Sequence, residues 1–294
     1  QHFLLDDRSL VAASGLALWK LLRPRHPPVL TVQDGGVIVL LSWVVVTGVS
    51  AVPLMLTLDL SFTQAYFESV SGWTTTGLSV VDVEKAPRTV LLWRAIMQLA
   101  GGAGMAIILV TLAGGPLGPG VAAAEGRSDQ LVPHIRRSAR LVLTLYAGYA
   151  STCTVALALA GMSWFDAANH AFAAVSTGGF STRAASLAYW DSPWIEAITI
   201  VYMLLGSMNF QLGYLLLRGR FRAVWSSGEV RTVMWLSALT IPLVVVFATG
   251  ALYVGVGKQL RVAIFEVGTS ITTTGFTTSA GAVYQGWPRM GIFL

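Results

Sequence analysis

The sequence predicts an all-α, polytopic membrane protein built from repeated units of helix, re-entrant loop and helix. Three observations carry that prediction. Hydrophobic residues make up 54% of the 294 positions and charged residues only 11%, against about a quarter charged in soluble domains, and the mean hydropathy is +0.67. Apolar runs recur that are long enough to cross roughly 30 Å of hydrocarbon, which takes about 20 residues. Between alternate runs stand short stretches rich in threonine, serine and glycine.

The runs that meet the length criterion are residues 36–58, 90–112, 139–160, 194–217 and 233–256. Residues 3–22 form a weaker candidate, because Asp6, Asp7 and Arg8 interrupt it; the same charges exclude a signal-peptide core. The chain starts at Gln1 and stops at Leu294 inside a further apolar run, so both ends read as cut. Cys153 is the only cysteine, which excludes an intrachain disulfide and a Cys-based metal site. It is expected as a small residue facing lipid or core.

The net charge of +5 does not point to nucleic acid, because the basic residues fall in short loops between apolar runs. Lys20, Arg23 and Arg25, then Arg127, Arg136, Arg137 and Arg140, then Arg218, Arg220, Arg222 and Arg231 flank alternate ends of the runs. Such loops are cytoplasmic by the positive-inside rule. The opposite connections carry Asp59, Asp82, Glu84, Asp166, Asp191 and Glu196 and therefore face outward.

The outward connections are far from hydrophilic. In LSFTQAYFESVSGWTTTGLSV a Ser61 or Thr63 cap opens about ten helix-compatible residues, and hydroxyls close them. A helix of that length is too short to span. It can dip into the membrane and return, provided its irregular backbone is buried in protein or lines a water-filled cavity. The pattern recurs in SWFDAANHAFAAVSTGGFST (163–182) and KQLRVAIFEVGTSITTTGFTTS (258–279). Aligned on Gly77, Gly179 and Gly275, the loops Thr75-Thr76-Gly77-Leu78-Ser79, Thr177-Gly178-Gly179-Phe180-Ser181 and Thr273-Thr274-Gly275-Phe276-Thr277 superpose, and Glu68, His170 and Glu266 stand nine residues upstream of the glycines. One such loop is explained by small-residue helix packing. Three at matching places imply a shared task.

These loops hold no nucleophile with its base, no carboxylate pair at the glycine and no metal-ligand cluster, so they offer no covalent chemistry. They offer oxygen. Glycine leaves the axis unobstructed and lets successive carbonyls turn to one side, and rings of such oxygens replace the water shell of a monovalent cation. The C-terminal partial negative charge of each short helix favours a cation at the same place.

FESVSGWTTTGLS, AGMSWFDAANHAFAAVSTGGFST and ITTTGFTTS, with QLAGGAGMAIILV and YMLLGSMNF in the returning helices and LVPHIRRSAR between the first two units, resemble the bacterial Trk/Ktr superfamily of potassium transporters, the Trk-type membrane subunit in particular. The resemblance runs from about Asp34 to the end of the chain. It implies a potassium-channel-like, pseudo-fourfold arrangement of helix, pore loop and helix, of which about two and a half units are present. It divides the chain into a leading segment (1–33), a first repeat (34–120), a second (121–222) and a third (223–294) truncated after its loop. It implies a selectivity filter at Thr75, Thr76, Gly77, Thr177, Gly178, Gly179, Thr273, Thr274 and Gly275, with glycine rather than serine at position 77 favouring potassium over sodium. It also implies a homodimer in the inner membrane of a bacterium and a cytosolic nucleotide-binding regulatory subunit. The basic loops 125–140 and 218–231 are that subunit's candidate docking surfaces. Potassium is then cargo, and no organic cofactor is expected. The absent fourth repeat marks the chain as a fragment.

Other residues admit two readings. Glu68, His170 and Glu266 lie at membrane depth and point to bracing of the short helices, with cation attraction as the alternative. Asp82, Glu84 and Asp191 form either an acidic outer vestibule or a solvated face. GGAG at 101–104 lacks the Lys-Ser/Thr of a phosphate loop and reads as close helix packing or a hinge. Arg94 snorkels outward or pairs with an acid. Asn209 and Gln211 face an inner cavity or bond between helices, and His2, His26 and His134 have no ligand partners. Three rivals remain for function: the potassium-binding subunit of an ATP-driven pump, a membrane enzyme with lipid-phosphate loops, and a non-conducting assembly subunit. The enzyme lacks a general base or metal near the loops, and the three intact glycines disfavour a degenerate pore.

Overall fold

In the computed structural model the described residues are 20, 32–113 and 135–279, and apart from short connections they are helical. The chain divides into two compact units, residues 1–46 and 47–294. In the first, residues 32–46 are helix, with Leu40, Leu41 and Val45 exposed. The second unit holds everything that follows.

Helix α1 (Val32–Leu58) is followed closely by the 12-residue α2 (Phe62–Trp73). Ser61, rather than Thr63, is the cap: its hydroxyl accepts from Gln64 N–H at 3.4 Å, and Gln64 Oε1 accepts from Ser61 N–H at 3.1 Å. This reciprocal box satisfies two donors that a helix start leaves open. Helix α3 (Arg88–Ala113) returns, and α4 (Ile135–Leu159) leads to the 12-residue α5 (Trp164–Val175), capped by Ser163 on Asp166 N–H at 3.1 Å.

The apolar run 194–217, expected as one span, is two helices, α6 (Pro193–Ser207) and α7 (Phe210–Leu217). Met208 is extended (φ −67°, ψ 148°), and Asn209 donates its N–H to Glu229 Oε1 at 2.9 Å. A carboxylate from a later helix thus takes a donor that the break frees, and the apolar composition of the run gives no sign of it. After α8 (Phe221–Trp225), α9 (Gly228–Val244) starts five residues before the expected 233, where Ser227 caps Val230 N–H at 3.3 Å. A π-helical turn (Val245–Thr249) follows Pro242, a residue that removes one N–H from the ladder. Helix α10 (Val256–Ile271) is the third short helix.

The main core brings together Cys153 and Leu157 of α4, Ala167, Ala171 and Ala174 of α5, Met203 of α6, and Phe265 of α10 with Phe276 beyond it. The alanines let α5 sit close among its neighbours, and Cys153 faces this core. By contrast Leu143, Val155 and Leu159 on α4 and Trp235, Leu239, Val246 and Phe247 around α9 are exposed. An exposed apolar surface of that extent suits lipid. Three stretches, Gly36–Leu58, Ala139–Leu159 and Gly228–Leu252, are long and apolar enough to cross a membrane.

Candidate functional site

The short helices α2, α5 and α10 end at Trp73, Val175 and Ile271, each four residues before Gly77, Gly179 or Gly275. All three ends are closed in the same way. Thr76, Gly178 and Thr274 donate their N–H to Ser71, Ala173 and Thr269 carbonyls at 3.0, 2.8 and 2.9 Å, and Thr75, Thr177 and Thr273 donate to Gly72, Ala174 and Ser270 at 3.2, 3.1 and 3.1 Å. This is the paired bonding of a Schellman cap, whose turning residue is usually glycine. Here it is threonine, at φ 55°, 51° and 57°. A β-branched residue in that region is an outlier that costs about 1–3 kcal/mol. Two residues later Gly77, Gly179 and Gly275 take φ 81°, 74° and 87°. Left-handed residues thus alternate with ordinary ones, which turns successive carbonyls toward one side instead of opposite sides.

The loops converge. A Cβ placed on Gly77 would strike the Gly178 carbonyl oxygen and lie 3.8 Å from that of Thr274; a Cβ on Gly179 would strike the Thr274 oxygen. No side chain fits between adjacent loops at these glycines. Among the described residues, no donor bonds the carbonyls of Thr75, Thr76, Gly77, Thr177, Gly179, Thr273, Thr274 or Gly275. The ninth carbonyl, Gly178, accepts from Gln98 Nε2 at 2.5 Å. All nine residues singled out by sequence therefore fall in these three loops.

Behind each loop the residue nine before the glycine is a buried brace. Glu68 Oε1 accepts from Ser79 Oγ at 2.9 Å, His170 Nε2 lies 2.9 Å from Ser181 Oγ, and Glu266 Oε1 accepts from Thr277 Oγ1 at 2.8 Å. His170 Nδ1 lies 2.8 Å from the Asp166 carbonyl; a carbonyl only accepts, so that nitrogen carries the proton and the neutral ring takes the Ser181 hydroxyl at Nε2. The two glutamates also accept backbone N–H groups, Val80 on Glu68 and Thr278 on Glu266, both at 2.9 Å. Each hydroxyl in turn accepts an N–H from two residues further on, Val81, Arg183 or Ser279, at 3.0–3.1 Å. Bracing is the role these contacts define.

Returning helices close the site from behind. Arg94 of α3 is 2% exposed and pairs with Glu68 at 2.7 Å. It also donates to Ser79 Oγ at 2.8 Å, and its guanidinium lies 4.0 Å from the centre of the Phe180 ring, so it ties the first loop to the second. The corresponding residue in the second unit, 26 after His170 as Arg94 is 26 after Glu68, is Glu196; it meets Arg261 of α10 at 3.2 Å. Gly101 and Gly206 lie against the carbonyls of Trp73 and Val175, the last residues of α2 and α5. Close packing is thus what GGAG provides through Gly101.

Asp82, Glu84 and Asp191 all have partners. Asp82 meets Lys85 at 2.8 Å, Asp191 meets Lys258 and Arg261, and Glu84 Oε1 accepts from Ala184 N–H at 3.1 Å. These contacts favour a tied loop face over a free acidic vestibule. Asn209 lies at the α6–α7 break. The Gln211 side chain, residues 1–19, the segment 114–134 with Arg127 and His134, the side chains of Arg136 and Arg137, and the helix expected after 286 lie outside the described residues. Sequence reasoning missed Gln98, and it placed Ser79, Ser181 and Thr277 in the aligned loops without finding their partners. A polar residue one helical turn after Arg94, and a hydroxyl two after every glycine, were the available signals.

Among the described residues no cluster of three His, Cys, Asp or Glu can hold a metal. What converges instead is neutral carbonyl oxygen at the ends of three helices, an arrangement able to replace the hydration of a monovalent cation. Fold and composition together define a polytopic, all-helical membrane protein with pore-loop units. The chain belongs to the TrkH family of cation transport proteins, whose profile matches residues 9–280. It is 33% identical over 267 residues to the Trk system potassium uptake protein TrkH of Escherichia coli K12, covering 87% of this chain and 55% of the relative. To the protein of that name from Halomonas elongata it is 36% identical over 276 residues, covering 90% and 56%. The crystal structure of the potassium transporter TrkH from Vibrio parahaemolyticus matches with a TM-score of 0.76 at 28% identity, covering 96% of this chain and 65% of that one. The chain thus spans little more than half the length of the curated relatives it matches.

Proposed function

We propose that this chain forms part of a potassium-uptake pathway, in which the carbonyls of Thr75-Thr76-Gly77, Thr177-Gly178-Gly179 and Thr273-Thr274-Gly275 strip and coordinate the ion. The observation that carries this reading is the threefold threonine of positive φ followed two residues later by a glycine of positive φ. Such strain persists only where the surroundings enforce it, and it concentrates at working sites. The C-terminal ends of α2, α5 and α10 add partial negative charge at the same place, and relatives named as potassium uptake proteins support the choice of ion.

In this reading the repeats divide near residues 34, 121 and 223. The protein sits in the bacterial inner membrane with its arginine-rich loops inside, pairs as a homodimer, and is gated by a cytosolic nucleotide-binding subunit docked on loops 125–140 and 218–231. The resemblance to Trk-type subunits and the placement of basic residues support these assignments.

The test is growth on limiting potassium of an uptake-deficient bacterium expressing the full-length protein, with rubidium uptake measured against competing sodium. Rescue with sodium-insensitive rubidium entry is the expected result. A well-expressed, membrane-inserted protein that gives no rescue with its regulatory subunit supplied contradicts the proposal.

A further inference from the structure

The three loops are not braced alike. In the first, the Thr76 hydroxyl lies 2.8 Å from that of Thr74, which donates to the Val70 carbonyl at 2.7 Å. In the third, Thr274 lies 2.8 Å from Thr272, which donates to Gly268 at 2.8 Å. A hydroxyl pair thus anchors each loop to its own helix. In the second, Ser176 keeps the bond to the helix, donating to Phe172 O at 2.7 Å, but its partner position is Gly178 and has no hydroxyl. The space that a side chain at 178 would fill is occupied by the Gln98 carboxamide.

Gln98 comes from α3, 80 residues earlier, and is fully buried. Its Nε2 donates to the Gly178 carbonyl at 2.5 Å, and its Oε1 accepts the Phe180 N–H at 3.1 Å. The partners fix the orientation of the amide, because a carbonyl only accepts and a backbone N–H only donates. One planar group therefore pins the carbonyl before Gly179 and the amide after it.

We propose that Gln98 is a positioning residue for the second loop, replacing from another helix of the same chain the threonine brace of the other two, and that it sets discrimination between potassium and sodium there. The inference rests on the reading of these loops as an ion filter. A carbonyl oxygen that gives one lone pair to a buried donor keeps the other for an ion and resists moving toward it, and a sodium ion, being smaller, needs its oxygens closer than potassium does. Leucine at 98 removes both bonds. Alanine at 98 opens the space in which threonine at 178 can re-form a hydroxyl pair with Ser176.

Rubidium and sodium uptake by the full-length protein in cells, normalised to membrane abundance, tests this. Gln98→Leu is expected to lower the preference for rubidium about tenfold, the scale of the one lost bond, to the Gly178 carbonyl, that acts on a coordinating oxygen. Gly178→Thr alone, which collides with Gln98, is expected to abolish uptake, and Gln98→Ala with Gly178→Thr to regain the preference that Gln98→Ala loses. Should Gln98→Leu not reach the membrane, Gln98→Asn, shorter by one methylene, is read by the same criterion. An unchanged preference in the Gln98 variants, with Gly179→Ser shifting it, overturns the role of Gln98 and leaves the filter standing. Unchanged preference in all of them overturns the filter reading, and this inference with it.

Discussion

Glu68 Oε1 accepts a 2.9 Å hydrogen bond from Ser79 Oγ, eleven residues further along the chain. His170 with Ser181 and Glu266 with Thr277 repeat that link at the same separation and at 2.9 and 2.8 Å. Each holds the outgoing limb of a loop against the helix that enters it, so the loop is fixed at both ends.

Removing the hydroxyl should cost more where its partner is charged. Thr277→Val is expected to destabilise by about 1.5–3 kcal/mol and Ser181→Ala by about 0.5–1.5 kcal/mol, the ranges for charged and neutral hydrogen bonds. Denaturant titrations of the purified protein in detergent measure both. Equal costs would show that the Glu266 contact is no stronger than the imidazole one.

Arg94 and Glu68 are both almost wholly buried. Arg94→Met strands the carboxylate and should lower stability by about 3–5 kcal/mol, whereas Arg94→Met with Glu68→Gln, which removes the charge and keeps an acceptor oxygen for the loop, should recover part of that loss. Thermal unfolding of the two variants and Glu68→Gln gives the coupling between the residues. A double variant as unstable as the single one would mean that Arg94 acts through Phe180 and Ser79 rather than through the ion pair.

Gly101 and Gly206 admit no methyl group, because the carbonyls of Trp73 and Val175 occupy its place, whereas Gly148 on α4 has open space. Gly101→Ala and Gly206→Ala should therefore destabilise by displacing the ends of α2 and α5. Gly148→Ala should be neutral or stabilise by up to about 1 kcal/mol through helix propensity. Melting temperatures of the three variants decide it, and tolerance of alanine at 101 and 206 would mean that the helix ends shift without cost.

Asp191 joins its loop to the start of α10. The hydrogen bond from Lys258 at 2.8 Å holds its carboxyl below the usual carboxylate range, against the opposing effect of partial burial, and Arg261 adds its charge. A carboxyl with a lowered folded pKa stabilises above the unfolded value of about 3.9 and loses that contribution as pH falls through the folded value. Wild type should therefore exceed Asp191→Asn in melting temperature at pH 6 by a small margin, since the group is 54% exposed, and the margin should begin to shrink only below about pH 4 and vanish as pH falls through the lowered folded value. A margin constant across that interval would remove the ion pair from the account.

The loops were legible because their composition departs sharply from the apolar helices around them: hydroxyls and glycine recur at Thr75–Gly77, Thr177–Gly179 and Thr273–Gly275, and capping by Ser61 follows a local rule. The partners of those loops were not legible. Gln98 meets Gly178 across 80 residues and Arg94 reaches Ser181 across 87, and neither pairing leaves a mark at short range. The break at Met208 was hidden for a different reason. The run 194–217 as a whole is apolar enough for one continuous span despite Ser207 and Asn209 beside Met208, and what supports the interruption is Glu229, on a helix that comes later.

The central claim is that the carbonyls of the three loops hold a dehydrated monovalent cation. Rubidium located by anomalous diffraction in crystals of the full-length protein tests it most directly. The account predicts a peak on the axis between Thr76, Gly178 and Thr274, within about 3 Å of their carbonyl oxygens. A peak beside Asp82, Glu84 or Asp191 with none between the loops would contradict it.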